Sequence, residues 1–219
     1  MMMRRMLWGV GMLAVLGTGA GCAHGDARHA RNQGEKVGEA FAEKVRFADQ
    51  LAIFDQKQIA LGQLALERSG NAEVRRFAQV LIRDHQNHLS DLQTLADSKA
   101  FTLAMVDLST QDQATGGAGF EGAVKGAEKG EKSYDKKTDK DVRKFLERRD
   151  ELASLEGKKF DKEFLAQIED DQEDGRDLVS KGLDRYRDDT SLALLLSRTG
   201  PVLQGHEYQI NTLQGFIGD

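Results

Sequence analysis

A chain of 219 residues with a single proline, Pro201, contains almost nothing to stop a helix once it has started. Aromatic residues make up only 6% and charged residues 31%, which suits long solvated helices better than sheets, whose strands favour aromatic and β-branched side chains. The apolar residues recur at helical spacing. From about residue 39 to residue 69 the recurring positions are Phe47, Leu51, Phe54, Leu61 and Ala65. Ser69-Gly70-Asn71 reads as a stop and restart, with Gly70 as the C-cap. A second stripe, Val74, Ala78, Leu81, Leu92 and Leu95, predicts a helix over about 72–98. So short a connection joins antiparallel neighbours. A third helix is predicted over about 161–186 on Phe164, Leu165, Ile168, Leu178 and Val179. A fourth covers about 191–216 on Leu192, Leu195, Leu196, Leu203, Ile210 and Leu213. Pro201 is expected to kink it, because proline removes a backbone donor and crowds the carbonyl of Ser197. The expected fold is therefore all-α, an antiparallel four-helix bundle made of two hairpins, 39–106 and 141–219.

The N-terminus carries a different signal. Arg4 and Arg5 precede an apolar stretch from Met6 to Leu16, and Gly17 to Gly21 are all small. That stretch is shorter than the roughly 20 residues a membrane-spanning helix needs, so residues 1–21 read as an export leader. Cys22 is the only cysteine, which excludes a disulfide within the chain. Ala20-Gly21-Cys22 resembles the end of a bacterial lipobox, although Gly19 stands where an aliphatic residue is usual. The resemblance implies lipidation of Cys22, cleavage before it, and a membrane partner reached through that lipid. Ala23 after the cysteine implies sorting to the periplasmic face of the outer membrane. Residues 22–38 are expected to be a flexible tether, in which His24 and His29 are solvated. Residues 107–140, with Gly116-Gly117-Ala118-Gly119 and a charged run from Lys125 to Lys140, are expected to be a low-complexity insert, although helix from Lys136 onward is also compatible. Losing the leader's two arginines takes the formal charge from −5 to −7. With no basic stripe on the chain, nucleic acid is excluded as a partner.

What interrupts the stripes is polar. Gln58 fills the missing place in the first helix, His85 and His88 those in the second, Gln172 follows Ile168 in the third, and His206 lies between Leu203 and Ile210 in the fourth. Counting about 1.5 Å per residue from the two turns places these residues near one level of the bundle. A buried cluster of this kind must be internally bonded, hydrated or metal-bound, since each unpartnered polar group costs about 1–3 kcal/mol. One reading is a hydrogen-bonded layer with Asp84 or Asp171 fixing a tautomer. The alternative is a transition-metal site, for zinc, copper or iron, on His85, His88 and His206. A di-iron carboxylate centre needs more anionic ligands than Gln58 and Gln172 supply. No nucleophile elbow, phosphate loop or HExxH helix is present, and Asp170, Asp171 and Asp174 read as a solvated face.

The segments Gln58 to Glu67, Val74 to Ala78, Asp84-His85, Phe160-Asp161 and Pro201 to His206 together resemble the domain of unknown function 4142 family. The resemblance covers about 45–100 and 140–215. It implies an exported bacterial protein with a ferritin-like helical bundle, often described as an outer membrane protein. Family members carry a glutamate where this chain has Gln58 and a histidine where it has Gln172. The family supplies no established reaction. The expectation is a non-enzymatic, lipid-anchored protein that acts in envelope stress or in contact with envelope components, with metal binding or redox chemistry at the histidines as the rival.

Overall fold

The structure is a computed structural model that describes residues 23–106, 108 and 128–218, with side chains over 34–106, 108 and 136–217. Cys22, the leader and residues 109–127 lie outside the described residues. Among those described there are five helices and no strand: α1 (Ala23–Arg68), α2 (Ala72–Ser98), α3 (Glu128–Ala153), α4 (Gly157–Arg185) and α5 (Thr190–Gly218). The chain divides into two compact units, Met1–Val37 and Gly38–Asp219. The described part of the first is helical, and the buried core lies in the second.

Three expectations are corrected. Residues 23–38 are helical rather than a flexible tether. The alanine, arginine, glutamate and lysine around Gly25, Gly34 and Gly38 favour helix enough to outweigh a glycine penalty of about 1 kcal/mol each. The segment 107–140 is not an insert throughout, because α3 begins at Glu128. Its Glu/Lys run forms a charged helix start, and farther along Val142, Phe145, Leu146 and Leu152 turn inward. Four predicted helices thus become five. Gly70 is not a left-handed cap either, since positive φ occurs only at Ala100 and Gly157 among the described residues. Side chains hold that turn instead. Asn71 Oδ1 accepts from the amides of Glu73 (2.9 Å) and Val74 (3.4 Å), and the Ser69 hydroxyl donates to buried Asp161 at 2.5 Å. α5 continues through Pro201 as one helix.

The core has two apolar clusters. One takes Leu61 and Ala65 from α1, Val74 to Leu81 from α2, Phe160 to Ile168 from α4 and Ile210 to Ile217 from α5, and α3 adds Phe145 and Leu152. The other takes Val45 to Ala52 from α1, Leu89 to Ala96 from α2, Val179 from α4 and Leu192 to Leu203 from α5. The reversal of order within each pair makes α1 and α2, and α4 and α5, antiparallel hairpins. Between the two clusters each of these four helices buries a polar side chain: Asp55 and Gln58 on α1, His85 on α2, Gln172 on α4 and His206 on α5.

Candidate functional site

α1 brings Asp55 and Gln58 to this layer, α2 brings Asp84, His85 and His88, α4 brings Asp171 and Gln172, and α5 brings His206. Asp55, Gln58, His85, Gln172 and His206 are buried. Asp55 accepts from both histidines of α2, His85 Nδ1 at 2.8 Å on one oxygen and His88 Nδ1 at 2.7 Å on the other. One helical turn separates those histidines, so a single carboxylate serves both. A second chain crosses the other helices. Gln58 Nε2 donates to Asp171 Oδ2 (3.0 Å), and Gln172 Nε2 donates to Gln58 Oε1 (2.9 Å). His206 Nδ1 lies 3.1 Å from Gln172 Oε1, and its Nε2 lies 3.2 Å from Asp84 Oδ2. The two systems meet at the rings of His85 and His206, whose centroids are 5.4 Å apart. Arg83 sits 2.9 Å from Asp84, and Arg148 of α3 sits 3.8 Å from Asp171.

Burial and the neighbouring His85 hold the His206 imidazole down at about 4, against the pull of Asp84, so it is neutral near pH 7. A neutral ring has one N–H. With the amides as described, that proton lies on Nδ1 and the bare Nε2 faces Asp84. Turning both amides over reverses the chain at the same heavy-atom distances: Asp171 donates an O–H to Gln58, and His206 donates from Nε2 to Asp84. Burial pushes the Asp171 carboxyl up, which favours the reversed polarity, while Arg148, Gln58 and Lys57 oppose it. A groove of about 190 Å³ opens on this end of the chain, lined in part by Lys57, Gln58, Asp141, Asp171 and Asp174. Lys57 is itself pushed down by burial against the pull of Asp171, Asp141 and Asp174. The arrangement can hold or pass a proton between a half-buried carboxyl and an imidazole.

Gln58, Asp84, His85, His88, Asp171, Gln172 and His206, selected from the sequence, are in the layer, and Cys22 lies outside the described residues. Asp84 and Asp171 stand about one residue's turn, or roughly 100°, from their inward neighbours, yet each reaches a side chain of a different helix. Asp170 and Asp174 are exposed, as a solvated face should be. The three imidazoles do not share one centre. His206 has both nitrogens engaged, and among the described residues no group of three or more His, Cys, Asp or Glu is placed to hold a metal ion. The Nε2 atoms of His85 and His88 are buried without a partner. Sequence reasoning missed Asp55 and Lys57. Asp55 lies four residues after Leu51 and three before Gln58, on the very stripe being followed, and that spacing was the available signal.

An all-helical body with a polar layer closed inside it defines a helical protein organised around a buried histidine–amide–carboxylate network. At the level of fold it is similar to a solved Streptomyces coelicolor protein described as secreted and assigned to DUF305, with a TM-score of 0.56 and 14% identity over 79% of this chain and 91% of that one. The chain belongs to the DUF4142 family, a domain of unknown function, whose profile matches residues 30–118 and 125–213. No curated protein matches it.

Proposed function

We propose that the chain is exported, lipidated on Cys22 and held at the periplasmic face of the outer membrane, where a ferritin-like four-helix arrangement serves a non-enzymatic envelope role. That role lies in stress tolerance or in contact with other envelope components. The observation that carries the non-enzymatic reading is the closed chain from Asp171 through Gln58, Gln172 and His206 to Asp84, whose side chains are engaged with one another. No helix among the described residues is long and apolar enough to cross a membrane, so stable anchoring of this body rests on acyl chains. The test is mass spectrometry of the mature N-terminus, with fractionation of cells that express the wild type or Cys22→Ser. A diacylglyceryl Cys22 in the membrane fraction, and release of the variant as soluble protein, is the expected result. A mature chain that keeps residues 1–21, or a wild type that is never membrane-bound, overturns it.

A transition-metal role is the second reading, and one observation favours it. Asp55 holds both Nδ1 atoms of His85 and His88 while both Nε2 atoms are buried and unpartnered, the carboxylate–histidine arrangement that orients imidazoles toward an ion. An ion here draws two protein nitrogens, and His206 joins only by releasing Gln172 or Asp84. Elemental analysis of tag-free protein, after incubation with zinc, copper or iron(II), separates the readings. About one ion per chain, lost in His85→Ala/His88→Ala, establishes a metal site. No ion in either sample leaves the layer structural.

A further inference from the structure

The outward face of α5 is unlike the rest of the surface. Among its exposed positions only Arg198 is charged, whereas those of α4 are mostly lysine, aspartate and glutamate. Four of its exposed residues are large and apolar or aromatic: Leu194 (50% exposed), Val202 (39%), Tyr208 (76%) and Phe216 (75%). At 100° per residue they fall within an arc of about 120°, which makes them one stripe, interrupted by Arg198. In a chain that is 31% charged, a water-facing helix side of this composition is out of keeping with its setting.

The order of these residues names what covers them. Leu194 and Phe216 lie eleven positions either side of Gly205, and Val202 and Tyr208 lie three positions either side of it. The stripe is therefore palindromic about a glycine, and an ideal Cβ built on Gly205 meets nothing within 4 Å. We propose that α5 is the interface of a two-fold dimer in which the α5 helices of two copies cross antiparallel, with Gly205 on the symmetry axis.

A two-fold contact apposes one surface patch to itself, so its residues must be complementary under reversal. Reversal about Gly205 places Leu194 of each copy level with Phe216 of the other, and Val202 level with Tyr208. Glycine at the crossing lets the two backbones come close. At a crossing angle of about 20° the helices part by roughly 6 Å some 16 Å from the crossing point. The bulky pair Leu194 and Phe216 stands at that distance. Pro201 faces outward and lacks only a backbone donor, which an intermolecular face does not use. The charge pattern supports the same occupant. An apolar face needs an apolar partner, and the exposed faces of α2 and α4 carry no large apolar side chain, whereas α5 of a second copy does; its one charge, Arg198, falls level with Thr212 of the other copy on reversal about Gly205. An anionic membrane is the weaker match, since the stripe offers one cation, Arg198, on a chain of net charge −5.

The experiment uses the full mature chain with Cys22→Ser, so that no native thiol remains. Sedimentation equilibrium is expected to give a dimer. Tyr208→Glu and Leu194→Glu, both at exposed positions, are expected to raise its dissociation constant roughly tenfold or more while leaving the helical circular dichroism unchanged. In the same background Gly205→Cys is expected to form an interchain disulfide on mild oxidation, and Ser180→Cys on the exposed face of α4 is not. A chain that is monomeric at every concentration, or a dimer indifferent to both glutamates, overturns the proposal. So does a monomer whose stripe binds vesicles of phosphatidylethanolamine and phosphatidylglycerol.

Discussion

Asp55 is the residue on which the histidine pair depends. Its carboxylate is fully buried and accepts two imidazole N–H groups, so its removal leaves two buried donors facing nothing. Breaking a buried ionic or charge-assisted set from one side costs about 3–5 kcal/mol. Asp55→Ala is therefore expected to lower the free energy of unfolding by that order in denaturant titration. Asp55→Asn, which keeps one acceptor and the shape, is expected to lose about half as much. Equal losses would mean that the hydrogen bonds contribute little beyond packing. The contrast between Asp55 and its neighbours also marks what could be read in advance. Gln58, His85, Gln172 and His206 were legible because each breaks an apolar stripe. Asp55 was masked by Phe54, the adjacent residue, which is also inward and packs edge-on to His85 at 5.3 Å. A helix facing two neighbours at once has an inner face wide enough for both, and a single-stripe reading admits only one of them.

At the scale of the helix, α1 and α4 approach closely because α4 has glycine where a side chain has no room. A Cβ on Gly175 would meet the Phe54 ring at 2.5 Å, and one on Gly182 would meet Phe47 and Leu196. On propensity alone, glycine to alanine within a helix gains about 1 kcal/mol. Here overpacking, at about 1–3 kcal/mol, acts against that gain. Gly182→Ala is accordingly expected to lower the melting temperature, while Gly200→Ala on α5, where a Cβ meets nothing within 4 Å, is expected to leave it unchanged or raise it. Thermal melts of the two variants check the sign, and a stabilised Gly182→Ala would mean that Phe47 moves aside freely. These glycines could not be interpreted from the sequence, because a glycine that weakens a helix and one that admits a neighbour are spelled alike. The stripes of α2 and α5 were legible from their spacing, whereas the start of α3 was not. Its first residues are mostly charged and show no apolar stripe in the sequence, so only helix propensity speaks for them.

Across the whole molecule, two buried groups pull the dependence of stability on pH in opposite directions. His206 titrates at about 4 when folded against 6.5 when free, so its contribution is complete above pH 6.5 and is lost as pH falls toward 4. Burial raises Asp49, which is bonded to the Ala104 amide at 2.7 Å, from 3.8 to about 6. Its contribution is complete below pH 3.8 and is lost as pH rises through 6. Between pH 4 and 6 the folded chain binds the Asp49 proton and has given up that of His206, and the unfolded chain does the reverse. The two slopes therefore nearly cancel, each side being on the order of 3 kcal/mol at full extent. Asp171, also raised by burial, acts on the Asp49 side. Removing either group should unmask the other. Asp49→Asn, whose amide oxygen can still accept from Ala104, is expected to become more stable relative to wild type as pH rises from 4 to 6. His206→Gln is expected to become less stable over the same interval. Denaturant titrations of the three proteins at several pH values measure those slopes directly. Parallel curves would mean that neither group titrates differently in the folded and unfolded chains, and that burial at these two sites is relieved by water reaching them.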